Sequence, residues 1–199
     1  MHIDTGDDSV AVKSGWDLPG QLFNMPATNI TVRNSNLTAI KGACVAVGSE
    51  MSGGVRNVTV TGNTCKSQSR YAFGVKTGPG RGGYIAGVRF LNNAITGGFF
   101  NNSVTWITAV WSDHNPAGCN KSALPAITDI VFDGLTVVPG TGTVDAPAAS
   151  LEGSVLLPAT GILYDNVVLP GARAWQCNDG VHGTANNVQP PACPQLGKV

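Results

Sequence analysis

Charge is what this sequence has least of. Only 12% of its 199 residues are Asp, Glu, Lys or Arg, about half the usual share, and twelve bases balance twelve acids. A chain of zero net charge has no long-range field to draw in nucleic acid or an anionic membrane surface. A basic cleft within a neutral surface still leaves acidic substrates open. Long apolar runs are missing too. The longest charge-free stretch, Phe90 to Ser112, is broken by Asn92, Asn93, Asn101 and Asn102 and by several Thr and Gly residues, which excludes a membrane span. No window of ten or more residues sets apolar side chains at helical spacing. The five cysteines, Cys44, Cys65, Cys119, Cys177 and Cys193, form no Cys-x-x-Cys pair, which argues against zinc. No basic and apolar leader follows Met1.

What the chain does have is glycine, 26 residues or roughly twice average usage, and a repeat. The repeat is a polar residue or Gly, then alternating apolar positions, then Asn, Asp or Gly. It reads Asn29-Ile-Thr-Val-Arg-Asn34, Asn57-Val-Thr-Val-Thr-Gly62, Gly87-Val-Arg-Phe-Leu-Asn92, Asp129-Ile-Val-Phe-Asp-Gly134 and, more weakly, Gly161-Ile-Leu-Tyr-Asp165. Its first apolar position steps from Ile30 to Val58, Val88, Ile130 and Ile162, spacings of 28, 30, 42 and 32 residues. A period of two inside each copy gives one inward and one outward face. Between copies lie further strand-like runs, Cys44-Val-Ala-Val-Gly48 and Phe73-Gly-Val-Lys76. Gly and Asn punctuate these runs because they tolerate the left-handed backbone of tight corners. Several short strands per repeat and no helices predict an all-β parallel β-helix. A β-sandwich competes, but hairpin signals are scarce.

The tail from Trp175 reads differently. It has no strand pattern, carries Pro190, Pro191 and Pro194, and holds Cys177 and Cys193. A disulfide between those two closes a loop of about fifteen residues and stabilises by about 3 kcal/mol in the chain-entropy account. The division expected is therefore rungs over residues 1–174 and a stapled cap over 175–199.

The densest chemistry lies in Asp4-Thr-Gly-Asp7-Asp8-Ser-Val-Ala-Val-Lys13-Ser-Gly-Trp16-Asp17. Adjacent carboxylates on a regular strand face opposite ways, so Asp7 and Asp8 meet one ligand only where the backbone bends, and Gly6 permits a bend. Two close carboxylates divide labour as acid and base, which glycoside hydrolysis requires. A solvated Asp-rich turn is the bland alternative. A calcium loop is a third, although Asp4, Asp7 and Asp8 lack EF-hand spacing. Lys76 and Arg81, in Lys76-Thr-Gly-Pro-Gly-Arg81-Gly-Gly, form a candidate cationic site for a substrate carboxylate, with a solvated turn as the alternative. The embedded Gly78-x-Gly80-x-x-Gly83 is no dinucleotide fingerprint, because a strand follows it where a helix should begin. His2, His114 and His182 are read as surface or loop residues. Trp16, Trp106, Trp111 and Trp175 are read mainly as core fillers.

These blocks resemble glycoside hydrolase family 28, the polygalacturonases and their pectin-cleaving relatives. Gly6-Asp7-Asp8-Ser-Val-Ala-Val-Lys13-Ser-Gly-Trp16-Asp17 is similar to the family's Gly-Asp-Asp segment. Gly48-Ser-Glu50-Met-Ser-Gly-Gly54 resembles a block of its plant-type members, and Lys76-Thr-Gly-Pro-Gly-Arg-Gly-Gly83 the stretch around the Lys of its Arg-Ile-Lys motif. Ala123-Leu-Pro-Ala-Ile and Trp175-Gln-Cys177 fit the C-terminal region, so the likeness runs from about residue 3 to residue 194. It implies a right-handed parallel β-helix and inverting hydrolysis of α-1,4-galacturonan, with no cofactor. Asp7 would be the general acid, Asp8 would help activate water, and Lys76 would bind a substrate carboxylate. The expected partner is a pectic polysaccharide, and the expected location is extracellular or in a cell wall. Five Asn-x-Ser/Thr sequons, at Asn29, Asn36, Asn57, Asn101 and Asn120, lean the same way.

The resemblance also departs from its pattern. Ala43 stands where the family has an active-site His, and Gly74 stands where it has the Arg of Arg-Ile-Lys, with Arg70 and Arg81 nearby. The motif carrying the third catalytic Asp lies upstream of the matched region. Family catalytic domains are about twice this long, so the sequence is expected to be the C-terminal half of such a helix, open to self-association at its N-terminal end. The alternative functions are a degenerate β-helix that binds pectic carbohydrate without cleaving it, or an inactive truncated product.

Overall fold

Asn29, Asn57, Gly87, Asp129 and Gly161 have φ of 59°, 56°, 66°, 58° and 65°. Each directly precedes the first apolar position of a repeat copy, so each copy opens on a left-handed corner that Gly, Asn and Asp enter at least cost. The computed structural model describes residues 1–66, 68–111 and 119–198. These coil into a right-handed parallel β-helix.

Three parallel ladders run along the coil. The first stacks Ala27–Arg33, Val55–Thr61, Tyr84–Leu91, Ala126–Asp133, Ala159–Val168, Val181–Gln189 and Leu196–Lys198. The second stacks Val10–Val12, Ala43–Gly48, Tyr71–Lys76, Thr105–Thr108, Ala149–Glu152 and Gln176–Cys177. The third stacks His2–Thr5, Asn36–Ala39, Thr64–Cys65, Ala94–Ile95 and Thr136–Val137, and joins the first where Thr136 pairs with Val168. A small side ladder pairs Gly98–Phe99 with Val144–Asp145. The repeat positions are register partners: Ile30 with Val58, Val58 with Val88, Val88 with Ile130 and Ile130 with Ile162. The 28-to-42-residue steps are thus the lengths of successive turns of the coil.

In-register parallel strands place like side chains over like. Phe90 and Phe132 stack with ring centroids 4.5 Å apart, Phe132 and Tyr164 at 4.7 Å, and Trp175 closes the column edge-on at 4.6 Å from Tyr164. Each such pair is worth about 0.5–1.5 kcal/mol beyond its burial. Buried Asn63 and Asn93 form a polar counterpart. Each donates its side-chain amide to a strand carbonyl, of Val32 and Val60 respectively, and Asn93 Oδ1 accepts from the backbone N–H of Asn63. That satisfies turn groups which would otherwise be buried unpaired. A disulfide joins Cys44 to Cys65, and a second joins Cys177 to Cys193 across a separation of 16 residues, while Cys119 is a free thiol.

Two features differ from the sequence reading. Residues after Trp175 do contain strands: Gln176–Cys177 extends the second ladder and Val181–Gln189 the first. Val181–Gln189 has only one side to bury, and its apolar residues are confined to Val181, Ala185 and Val188, so no alternation stands out. One short helix, Asp17–Phe23, also interrupts the first turn of the coil. Its seven residues include Pro19 and Gly20, poor helix formers, but Pro19 falls in the first turn, where a missing N–H costs little. Asn24 ends it in the left-handed conformation. The strands Val10–Val12, Ala27–Arg33 and His2–Thr5 each end a ladder and leave one edge unpaired within it. His114 lies outside the described residues.

Candidate active site

The candidate site lies on the outer face of the second ladder. Along Ala43–Gly48 and Tyr71–Lys76, the residues turned away from the main core are small or polar: Ala43 and Ala46 on one strand, Tyr71, Gly74 and Lys76 on the next. Asp7 and Asp8 lie in the connection that leads into Val10–Val12, at the end of this face. Asp7 is exposed, its Oδ1 accepting from the Asp8 N–H at 2.9 Å and its carbonyl from the Thr5 hydroxyl at 2.5 Å. Asp8 is more enclosed and accepts two donors. The Ala43 N–H reaches Oδ1 at 2.7 Å, and the Lys76 ammonium reaches Oδ2 at 3.0 Å.

Local sequence explains why those groups meet. A Cβ on Gly42 would lie 2.3 Å from the Asp8 nitrogen and 2.5 Å from Asp7 Oδ1, so only glycine lets the next turn approach the aspartates. Lys76 stands one rung further along, in register with Gly48. Between its row and the Ala43 row, the two strands present only Ala46 and Gly74, so no bulky side chain separates ammonium from carboxylate. Gly74 is required by contact as well: a Cβ there would sit 2.2 Å from the Trp106 carbonyl oxygen. The position that carries Arg in the resembling motif has no room for one here.

Arg81 is placed differently from Lys76. It is 1% exposed, its guanidinium pairs with Asp17 through Nη1, donates from Nε to the Ser49 carbonyl at 3.1 Å, and lies 5.2 Å from the Trp16 ring centroid. The structure brings Asp7, Asp8 and Lys76 to one surface and keeps Arg81 beneath another. His2 pairs with Asp4 at 2.9 Å away from this face, and His182 is exposed. Asp4 and Asp8 therefore have separate partners, and among the described residues no three His, Cys, Asp or Glu side chains gather in metal-binding range.

Several groups beside the aspartates were not singled out as site residues. Tyr71 is buried on this face, and among the described residues its hydroxyl has no hydrogen-bond partner. Burial, and then the nearby charge of Asp8, push that phenol well above its ordinary value, with Arg70 opposing and Asp7 adding a smaller push. Trp106 packs edge-on to Tyr71 at 5.1 Å and donates its indole N–H to Glu152 at 3.2 Å. Trp111 stands edge-on to Trp106 at 5.0 Å. The two indoles read as core fillers thus lie on the outer face, whereas Trp175 does join the core. Alternation in Ala149–Glu152 could have placed Ser150 and Glu152 here, since Ser150 is in register with Trp106.

The chain is similar to known proteins over nearly its whole length. A probable polygalacturonase of Vitis vinifera is 33% identical over 200 residues, covering 98% of this chain and 39% of that protein. The crystal structure of a hyperthermoactive exopolygalacturonase from Thermotoga maritima superposes with a TM-score of 0.76 at 28% identity, over 94% of this chain and 39% of that one. The chain thus spans about two fifths of the length of each of these relatives. Residues 1–187 match the family described as glycosyl hydrolases family 28, and the chain belongs to that family.

Proposed function

We propose that this face hydrolyses α-1,4-galacturonosyl bonds of pectin-type polysaccharides with inversion. The observation that carries the reading is the contact between Asp8 and Lys76, which are 68 residues apart in sequence yet 3.0 Å apart, part-buried beside exposed Asp7. In this reading Asp7, the exposed carboxyl, gives its proton to the leaving glycosidic oxygen. Asp8 accepts a proton from the attacking water on the opposite side of the sugar. The Ala43 N–H holds one Asp8 oxygen and so fixes the carboxylate that takes the proton of the water attacking the anomeric carbon as the bond to the leaving oxygen breaks. Lys76 has three N–H donors, so it serves Asp8 and a galacturonosyl carboxylate together. Family membership, two disulfides and five exposed sequon asparagines support an extracellular or cell-wall setting.

The test is Asp7→Asn, assayed by new reducing ends from polygalacturonate alongside oligogalacturonate binding. Turnover is expected to fall by about 10²–10⁴-fold, the usual contribution of a general acid, while binding persists. Undiminished turnover would remove Asp7 from the acid role. A second reading has its own support, because both Asp8 oxygens are already engaged and Ala43 offers no side-chain acid or base. Saturable binding with no reducing ends from the unsubstituted protein would favour that non-cleaving binder.

A further inference from the structure

Arg70 occupies the corner of the coil two turns beyond the aspartates. Its backbone N–H donates to the Gly42 carbonyl and its carbonyl accepts from Asn102, while Ala43 in turn donates to Asp8. Asp8, Gly42–Ala43 and Arg70–Tyr71 are therefore successive levels of one shelf, and Arg70 lies on the order of 10 Å from Asp8 along the axis, two inter-strand spacings. Its guanidinium sits 4.6 Å from the Trp111 ring centroid and 5.5 Å from that of Trp106. Among the described residues it has no carboxylate partner, whereas Lys13, Lys76 and Arg81 each have one.

A guanidinium stacked on indole uses its face and keeps its in-plane N–H groups free. That fork matches a carboxylate bidentately. The platform beneath it is braced by the Tyr71 edge and by the Trp106–Glu152 hydrogen bond, so little freedom remains to be lost on binding. We infer that Arg70, held on Trp106 and Trp111, binds the carboxylate of a galacturonosyl unit neighbouring the one at Asp7, Asp8 and Lys76, and makes the site selective for unesterified galacturonan. This rests on the galacturonan reading above. Arg81, buried and paired with Asp17, does not offer that second cationic contact.

The experiment measures equilibrium binding of an oligogalacturonate and of its fully methyl-esterified form to the 199-residue chain, unsubstituted and as Arg70→Gln and Arg70→Lys. Arg70→Gln is expected to weaken the acidic oligomer at least tenfold and to change the ester by less than twofold. Arg70→Lys should recover part of the loss, because it keeps the charge without the fork. Should Arg70→Gln fail to fold, Arg70→Lys still decides the question through a loss confined to the acidic oligomer. Equal losses for both oligomers would make Arg70 a structural residue and overturn the inference, as would no loss for either. If the unsubstituted chain binds neither oligomer, the galacturonan reading itself falls.

Discussion

Two acid–base pairs tie the same two segments together, and they differ in what surrounds them. The stretch that begins at Asp7 and ends at Asp17 meets the stretch from Lys76 to Arg81 at both ends, through Asp8–Lys76 and through Asp17–Arg81. At the first, the side chains keep 10% and 18% of their surface. At the second, Arg81 keeps 1%, beneath Trp16 and against the Ser49 carbonyl. A pair closed on all sides holds structure, because nothing else can reach its charges. A pair that stays partly exposed keeps unused donors for a ligand. The spacing of these charges in sequence, nine residues from Asp8 to Asp17 and five from Lys76 to Arg81, would not have told the two pairs apart; burial does.

The largest expected effect comes from breaking the closed pair. Arg81→Met leaves Asp17 buried and unpaired, which costs about 3–5 kcal/mol. Combining it with Asp17→Asn should restore much of that, since Asn tolerates the positive φ of 48° at this position and carries no charge. Thermal denaturation of the single and double variants checks this; a double variant no more stable than Arg81→Met would break the comparison. Lys76→Met should act the other way round. Asp8 keeps the Ala43 N–H and some solvent, so the stability loss is smaller, about 1–2 kcal/mol. Oligogalacturonate binding should weaken at least tenfold, the value of one charge-assisted hydrogen bond. A Lys76→Met protein that binds normally would move Lys76 to the structural side.

The coil was legible in the sequence because its repeating unit is short and local. A left-handed corner needs Asn, Asp or Gly, and the following inward positions need Ile or Val, so residues such as Asn57 and Val58 announce the turn by type alone. Val181–Gln189 was not legible, because a strand near the end of the stack has little to bury. The candidate site was half legible. Asp7, Asp8 and Lys76 stand in recognisable blocks, but the difference between Lys76 and Arg81 depends on the Trp16–Asp17 corner folding over one of them. Adjacent Arg70 and Tyr71 meet Trp106 only across strands, about 35 residues further along the sequence, a separation that no local pattern records.

A third pair, which ties the first of these segments to Glu50, extends the series towards solvent. Lys13 meets Glu50 at 2.6 Å with 44% and 19% of the side chains exposed. Burial pulls the Glu50 carboxyl up, but the hydrogen bond from Lys13, a backbone hydrogen bond and the Lys13 and Arg81 charges together hold it below its ordinary 4.5. A carboxyl depressed in the folded state contributes stability above the unfolded value and loses it as pH falls through the folded one. Lys13→Met should therefore cost little, about 0.2–1 kcal/mol near neutrality, as screened surface pairs do. The gap from the unsubstituted protein should close as pH drops below about 4 and shrink in high salt at pH 7. Denaturant titrations at pH 7 and pH 3 check the sign. A gap that widens in acid would mean that Glu50, not Lys13, is the strained partner, and the ordering of the three pairs by exposure would no longer predict what each one does.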